Sequence, residues 1–200
     1  MHSFFATMEP WRRNDGSFHL YALPHETDRE RFVAAQALLT GVEHLPLMPA
    51  PYLHCTVQRL AQFDDELTQQ QLTHLGGALT RALTEVPAFD LDFEAPSIGP
   101  SAVTCEAAPS DAWDRLVAAA RNGVVAALGN DPALPGPPHR PHLSLTYSTG
   151  AVEDGPVQAL IDGAPPVGRV RIDELHLVSV TVRPELGIFD FTSLASWDLA

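Results

Sequence analysis

Two rhythms of apolar and polar positions alternate along this chain. Residues 17–23 run as an extended segment closed by Pro24. Thr27, Asp28, Arg29 and Glu30 read as a capping box that opens a helix to about residue 40, with Phe32, Ala35, Leu39 and Val42 at helical spacing. The proline-broken stretch 46–51 leads into a strand over 52–60. Asp64, Asp65 and Glu66 place negative charge at the start of the next helix, where it suits the helix dipole. That helix runs to about Val86 with Leu72, Leu75, Leu79 and Leu83 on its stripe. Residues 89–93 alternate apolar and acidic, the mark of a half-buried strand. A turn at 98–101 gives way to a strand over 102–107, and Ser110 caps a helix to about Leu128 that turns Trp113, Leu116, Ala120, Val124 and Ala127 inward. Four prolines and a glycine between 130 and 138 exclude helix and central strand. A strand over 140–147, a short helix around 157–162, one or two extended segments over 170–180 and a strand over 189–199 complete the pattern. Residues 1–16 read as irregular and poorly ordered.

Strands and helices mixed without regular βαβ alternation predict an α+β fold with mainly antiparallel sheet. Two hundred residues suffice for one domain, or two small lobes sharing a core.

One short pattern occurs twice, 88 residues apart: His54-Cys55-Thr56-Val57 and His142-Leu143-Ser144-Leu145. Side chains two apart on a strand share a face. His54 and Thr56 therefore share one face with Cys55 and Val57 behind, and His142 and Ser144 share another with Leu143 and Leu145 behind. An imidazole titrates near neutrality and serves as general acid or base. A hydroxyl beside it can donate to a non-bridging phosphate oxygen, where charge builds in the transition state. Two such faces supply acid, base and phosphate donors without a metal. The repeat, each copy after a proline-interrupted loop and before a helix, suggests an internal duplication in which two lobes each give one histidine to a shared cleft.

Further candidates follow from position. Arg140 shares the face of His142 if the strand reaches back to it, and would then pair with phosphate. His19 and Tyr21 share one face of the first strand, and an aromatic there can stack on a base. Tyr147, at the end of the second motif strand, is a second candidate substrate contact. Trp11 and Trp197 read as packing, and Cys55, facing away from His54, as a buried thiol. His139 and His142 resemble a His-x-x-His pair, but in an extended chain residues i and i+3 point to opposite faces, so the pair is poorly placed to chelate a metal.

Charge narrows the partners. The net charge of −13 opposes a long nucleic-acid duplex but not a small nucleotide or an RNA end held in a local basic cleft. All 12 basic residues are arginine, so Schiff-base, P-loop and nucleotidyl-lysine mechanisms are excluded. Two cysteines are too few for a disulfide framework, no apolar run reaches the roughly 18 residues of a membrane span, and residues 1–16 lack a signal-peptide core. A cytoplasmic location with reduced thiols, no cofactor, no membrane partner and a monomeric state are expected.

The paired motifs, set in Leu53-His54-Cys55-Thr56-Val57 and Arg140-Pro141-His142-Leu143-Ser144-Leu145, resemble those of the two-histidine phosphoesterase superfamily, which includes 2′,5′ RNA ligase-like proteins and cyclic phosphodiesterases. The segment from Val103 through the helix to Leu128 and the late strand Glu174-Leu175-His176-Leu177-Val178-Ser179 resemble its intervening and late elements. Ser144 replaces the commoner threonine, and Phe189 stands where relatives often carry a tyrosine. The resemblance implies one bilobal unit over residues 1–200, with His54 and His142 facing each other as catalytic residues. It implies metal-free opening of a 2′,3′-cyclic phosphate on a nucleotide or RNA 3′-end, with possible reverse 2′,5′ ligation. By the same analogy His54 is the acid on the leaving oxygen and His142 the base on water. A non-catalytic nucleotide- or RNA-end-binding module is the alternative from another class, and a hydrolase for another phosphodiester or cyclic ester is a third.

Overall fold

The computed structural model describes residues 1–9, 11–129, 133–138 and 140–200. In chain order its elements are α1 (Phe4–Thr7), β1 (Ser17–Ala22), α2 (Glu26–Ala37), a 3-10 turn (Ala50–Tyr52), β2 (Cys55–Phe63), α3 (Gln69–Leu83), β3 (Phe89–Phe93), β4 (Ser97–Ile98), β5 (Ala102–Glu106), α4 (Asp111–Leu128), β6 (His142–Tyr147), α5 (Asp154–Ile161), β7 (Gly168–Ile172), β8 (Glu174–Arg183) and β9 (Ile188–Asp198).

The fold is α+β and every strand pairing is antiparallel. One sheet has the order β2-β1-β8-β9; a second is β4-β5-β6; a third pairs β3 with β7. A bridge between Phe93 and Ala107 ties the third to the second. β2 and β6, the two motif strands, are in contact inside the molecule. α4 lies against β2 and α3 reaches β9, whereas α2 lies on β6 and α5 on β4.

Local chemistry explains most boundaries. β3 buries Phe89, Leu91 and Phe93 and exposes Asp90 and Asp92, as its alternation predicts. Ser110 accepts a hydrogen bond from the Trp113 backbone N–H and starts α4. α3 starts later than the acidic run suggests: Thr68 and Gln71 form its capping box. Asp64, Asp65 and Glu66 serve elsewhere, Asp65 and Glu66 pairing with Arg13 and Arg12 and Asp64 accepting from Ser179. α2 instead begins earlier than the Thr27 capping box suggests, at Glu26 after His25, and has no side-chain cap; the His25 ring lies against Asp173, and Asp28 pairs with Arg31. Phe4 and Phe5 pack on Tyr147 and Phe189, and the Phe4 backbone N–H donates to the Ser148 carbonyl.

The helices α3 and α4 meet at Gly123. A Cβ there would stand 2.9 Å from Leu79 Cδ2 and 3.3 Å from Leu79 Cα. The first contact can rotate away, but the second is backbone. Gly123→Val is expected to destabilise the fold by about 1–3 kcal/mol, read by urea unfolding, as overpacking does elsewhere.

Candidate functional site

The two motifs build similar faces. β2 begins at Cys55, so His54 lies at its threshold, directly after the 3-10 turn and Leu53. Cys55 and Val57 point into the core, as do Leu143 and Leu145 on β6. His54 Nδ1 lies 2.7 Å from the Tyr52 carbonyl oxygen, and His142 Nδ1 lies 3.0 Å from the Arg140 carbonyl oxygen. A carbonyl only accepts, so Nδ1 carries the proton in both rings and Nε2 is left for chemistry. In each motif the clamp is the carbonyl two residues upstream. The rings are close enough for the charge of His142 to lower the basicity of His54.

Their surroundings differ. His54 is 8% exposed and stacked on Tyr21, with centroids 4.0 Å apart and planes 12° apart. Burial, partly offset by the Tyr52 carbonyl and reinforced by His142, lowers its pKa to about 4. His142 is more open, at the partly exposed start of β6.

Thr56 stands directly opposite Tyr21 in the β1–β2 register. Burial holds the Tyr21 and Tyr147 phenols protonated, while hydrogen bonding to Thr56 and Ser144, respectively, pulls back towards ionisation. Each motif hydroxyl is thereby held by a tyrosine. Arg140 precedes β6 rather than lying on it, and its Nη1 is 2.9 Å from Glu106 Oε2. Glu106 is the register partner of His142, so this guanidinium is kept at the mouth of the second motif.

His54 and Thr56 also border a cavity of about 160 Å³. Its other walls are Phe4, Trp11, His19, Tyr21, Tyr147 and Phe189. Tyr21 and Tyr147 were expected to meet a substrate, and they come together here. Trp11, read from sequence as packing, lies against His19 with ring centroids 5.2 Å apart. Phe4 fell in a segment read as poorly ordered. Neither carries a periodic or motif signal; only the fold brings them to the site.

Burial raises the Cys55 and Cys105 thiols, the latter to about 12, so neither is a thiolate nucleophile near neutrality. Among the described residues no group of three His, Cys, Asp or Glu is placed to hold a metal ion. His139, considered above with His142 as a metal pair, lies outside the described residues. Among the described residues no helix is long and apolar enough to cross a membrane.

Solved structures share this fold. TT0787 of Thermus thermophilus superposes with a TM-score of 0.70 at 20% identity, covering 92% of this chain and 97% of that one. The apo form of E. coli LigT gives 0.64 at 17% identity, covering 93% and 98%. A conserved protein of unknown function, ATU0111 from Agrobacterium tumefaciens str. C58, gives 0.60 at 16%, covering 96% and 95%. No curated protein matches the sequence. The family model of the 2'-5' RNA ligase superfamily matches residues 53–183, a span that holds both histidine motifs and more than half of the sequence. The chain therefore belongs to the 2'-5' RNA ligase superfamily, and its chemistry is of the phosphoesterase or RNA ligase-like kind.

Proposed function

We propose that the protein is a metal-independent phosphodiesterase that opens 2′,3′-cyclic phosphates on nucleotides or RNA 3′-ends. The observation that carries the reading is the matched pair of imidazoles, each held through Nδ1 by the carbonyl two residues upstream, with a hydroxyl residue two positions downstream. Binding alone needs no such pair, whereas in-line displacement at phosphorus needs one base and one acid. Crystal structures of E. coli LigT with 3'-AMP and with phosphate add support from a protein of the same fold.

In the hydrolytic direction one Nε2 takes a proton from water as its oxygen bonds to phosphorus. The other ring, as imidazolium, gives a proton to the ribose oxygen as its bond to phosphorus breaks. Thr56 and Ser144 donate to the non-bridging oxygens, where charge accumulates. The low basicity of buried His54 leaves it neutral at pH 7, the state required of a base, and favours the reverse of the roles suggested by family analogy. His142, at the open side, then acts as the acid.

This assignment has a pH signature. With His54 as base at a pKa near 4, kcat/KM is expected to persist as pH falls from 7 to 5 and to drop only as pH approaches 4. Initial rates across that range check it; a fall centred near pH 6.5 would return the base role to an unburied ring. Arg140 is placed to exchange Glu106 for a substrate phosphate. An exposed pair of this kind contributes about 0.2–1 kcal/mol, so Glu106→Gln is expected to lower KM by about 1.5- to 5-fold with kcat unchanged.

The deciding assay mixes the protein with 2′,3′-cyclic nucleotides in EDTA and follows monoester formation by 31P NMR. Turnover that survives EDTA and is lost on replacing either histidine supports the proposal. Activity abolished by EDTA would overturn metal independence. Tight binding without turnover of any cyclic or 2′,5′-linked substrate would make the chain a binding module.

A further inference from the structure

Strand β2 carries one more charged group on the side of the site. A bulge between Thr56 and Gln58 puts one extra residue, Val57, into the strand: Tyr21 stands opposite Thr56, but Leu20 stands opposite Gln58 and His19 opposite Arg59. Residues opposed across an antiparallel pair share a face, and Tyr21 and His19, two apart on β1, share one too. Without the bulge Arg59, three residues after Thr56, would point to the other face of the sheet. With it, Arg59 joins the face of Thr56, about 7 Å further along the strand. The charge of Arg59 is felt at the buried His19 ring, as that placement requires.

Arg59 is partly buried and lines a second cavity, of about 430 Å³. Its guanidinium lies over the Trp11 ring, 5.2 Å from the centroid, and Trp11 in turn walls the cavity beside His54. Among the described residues the guanidinium has no hydrogen bond and no ion pair, only this ring contact. Among the same residues the side-chain nitrogens that are both sealed from water and unpartnered belong to His19, Arg29 and Trp113, so those of Arg59 stay accessible. Arg12, on the same cavity, is taken: it grips both carboxylate oxygens of Glu66, at 2.7 and 2.8 Å, and donates to the Ala61 carbonyl. Glu9, also on the wall, is exposed; it is near enough to favour the charged form of Arg59 but makes no ion pair with it. A cation drawn partly out of water is as a rule paired, so an accessible guanidinium on a cavity wall without an acceptor marks a place for a ligand's anionic group.

We propose that Arg59 and its cavity hold a second phosphate of the substrate, the phosphodiester that joins the terminal nucleotide to the one before it, so that an RNA 3′-end is preferred to a mononucleotide. The proposal rests on the phosphodiesterase reading above for the phosphate at the two histidines. The face runs from His54 through Thr56 to Arg59, and the distance from Thr56 to Arg59 is comparable with one nucleotide step along an extended single strand. A guanidinium presents paired N–H donors that match phosphate oxygens. With a net charge of −13 most of this surface repels nucleic acid, so an uncommitted cation beside the site decides where a strand can continue. Glu9 opposes an anion here, and its neutralisation should tighten the subsite.

The test compares a 2′,3′-cyclic mononucleotide with a dinucleotide that ends in the same cyclic phosphate, in wild type, Arg59→Gln and Arg59→Lys. Wild type is expected to favour the dinucleotide in kcat/KM by about tenfold, the scale of one hydrogen bond to a charged group. The advantage should lie in KM and should add about 0.7 to the slope of log KM against log salt, for one further phosphate neutralised on a single strand. Arg59→Gln should bring the two substrates level and remove the added slope; Arg59→Lys should keep part of both. Glu9→Gln should widen the advantage. A dinucleotide whose linkage is an uncharged methylphosphonate should behave like the mononucleotide. If it keeps the advantage, or if Arg59→Gln leaves the advantage untouched, the subsite is overturned. The methylphosphonate and Glu9→Gln leave Arg59 in place, so they decide the matter even if Arg59→Gln does not fold. Calorimetry with mononucleotide and dinucleotide 3′-phosphates, which cannot be opened, separates the subsite from the reaction. Tighter binding of the dinucleotide that is lost in Arg59→Gln supports the subsite even if no cyclic phosphate is turned over. Turnover of both cyclic substrates with equal kcat/KM, and equal affinity for the two 3′-phosphates, overturns the subsite and leaves the reaction standing; neither turnover nor binding overturns both.

Discussion

Replacing either motif histidine with alanine is expected to lower kcat/KM on a 2′,3′-cyclic nucleotide by about 10²- to 10⁴-fold, the usual contribution of a positioned acid or base. The double variant should be little worse than the poorer single one, because a base without its acid partner has little left to accelerate. The two singles differ in their side effects. His142 lies at the partly exposed start of β6, so its removal leaves the packing almost untouched. His54 is stacked on Tyr21 and edged by Phe191, so its removal opens space in the aromatic cluster. Asparagine or glutamine at 54 is the better comparison, and a thermal melt alongside each assay separates lost chemistry from lost fold. Thr56→Val and Ser144→Ala should cost less, about 10- to 10³-fold, as removal of a single oxyanion donor does. Full activity in either histidine variant would remove the acid/base proposal altogether.

The second large effect is on stability, and it depends on pH. A histidine whose folded pKa is depressed leaves the folded state without a proton that the unfolded chain readily takes. For His54 the unfolded value is near 6.5 and the folded value about 4. Its penalty is absent above pH 7, grows as pH falls through 6.5, and reaches its limit near pH 4. A gap of this size corresponds to about 3 kcal/mol. His19, lowered well below its ordinary value chiefly by burial, adds to the same slope. Two carboxylates are lowered as well. The lowered groups Asp65 and Glu66 are exposed partners of arginines, and their weak contribution is lost only at more acid pH. Urea unfolding at pH 7.5, 6.0, 5.0 and 4.5 should show a midpoint falling steadily with pH, and His19→Phe should flatten the slope. A midpoint constant from pH 7.5 to 5 would contradict the buried, neutral state of both rings.

Legibility in the sequence followed the range of the interactions involved. Strand β3 and helix α4 could be read closely because alternation and a serine cap act within a few residues. The face shared by His54 and Thr56 was legible for the same reason. Helix starts were misplaced where charged residues had distant partners: Asp64, Asp65 and Glu66 suit a helix dipole, but Ser179, Arg13 and Arg12 claim them. The supposed cap at Thr27 failed because the helix begins one residue before it, at Glu26, which puts Thr27 inside the first turn. The site divides along this line. Its proposed acid/base groups were visible in two four-residue motifs, and Tyr21 and Tyr147 by position. The cavity walls Phe4 and Trp11 were not, because an aromatic residue outside any periodic segment has no local sign of what it will cover.

The twin carbonyl clamps have a consequence for the direction of reaction. Two imidazoles pinned in the same way form a set that can work in either protonation order. If the proposed reaction holds, microscopic reversibility lets rings that open a cyclic phosphate with water join a ribose hydroxyl to it once they exchange protons. Nothing in the pair sets an arrow. What distinguishes the two rings is their unequal shelter: His142 stands at the partly exposed start of β6, whereas His54 is buried. Under the proposed function, hydrolysis and strand joining would be two directions across one bench, chosen by whether water or a hydroxyl occupies the place of the nucleophile.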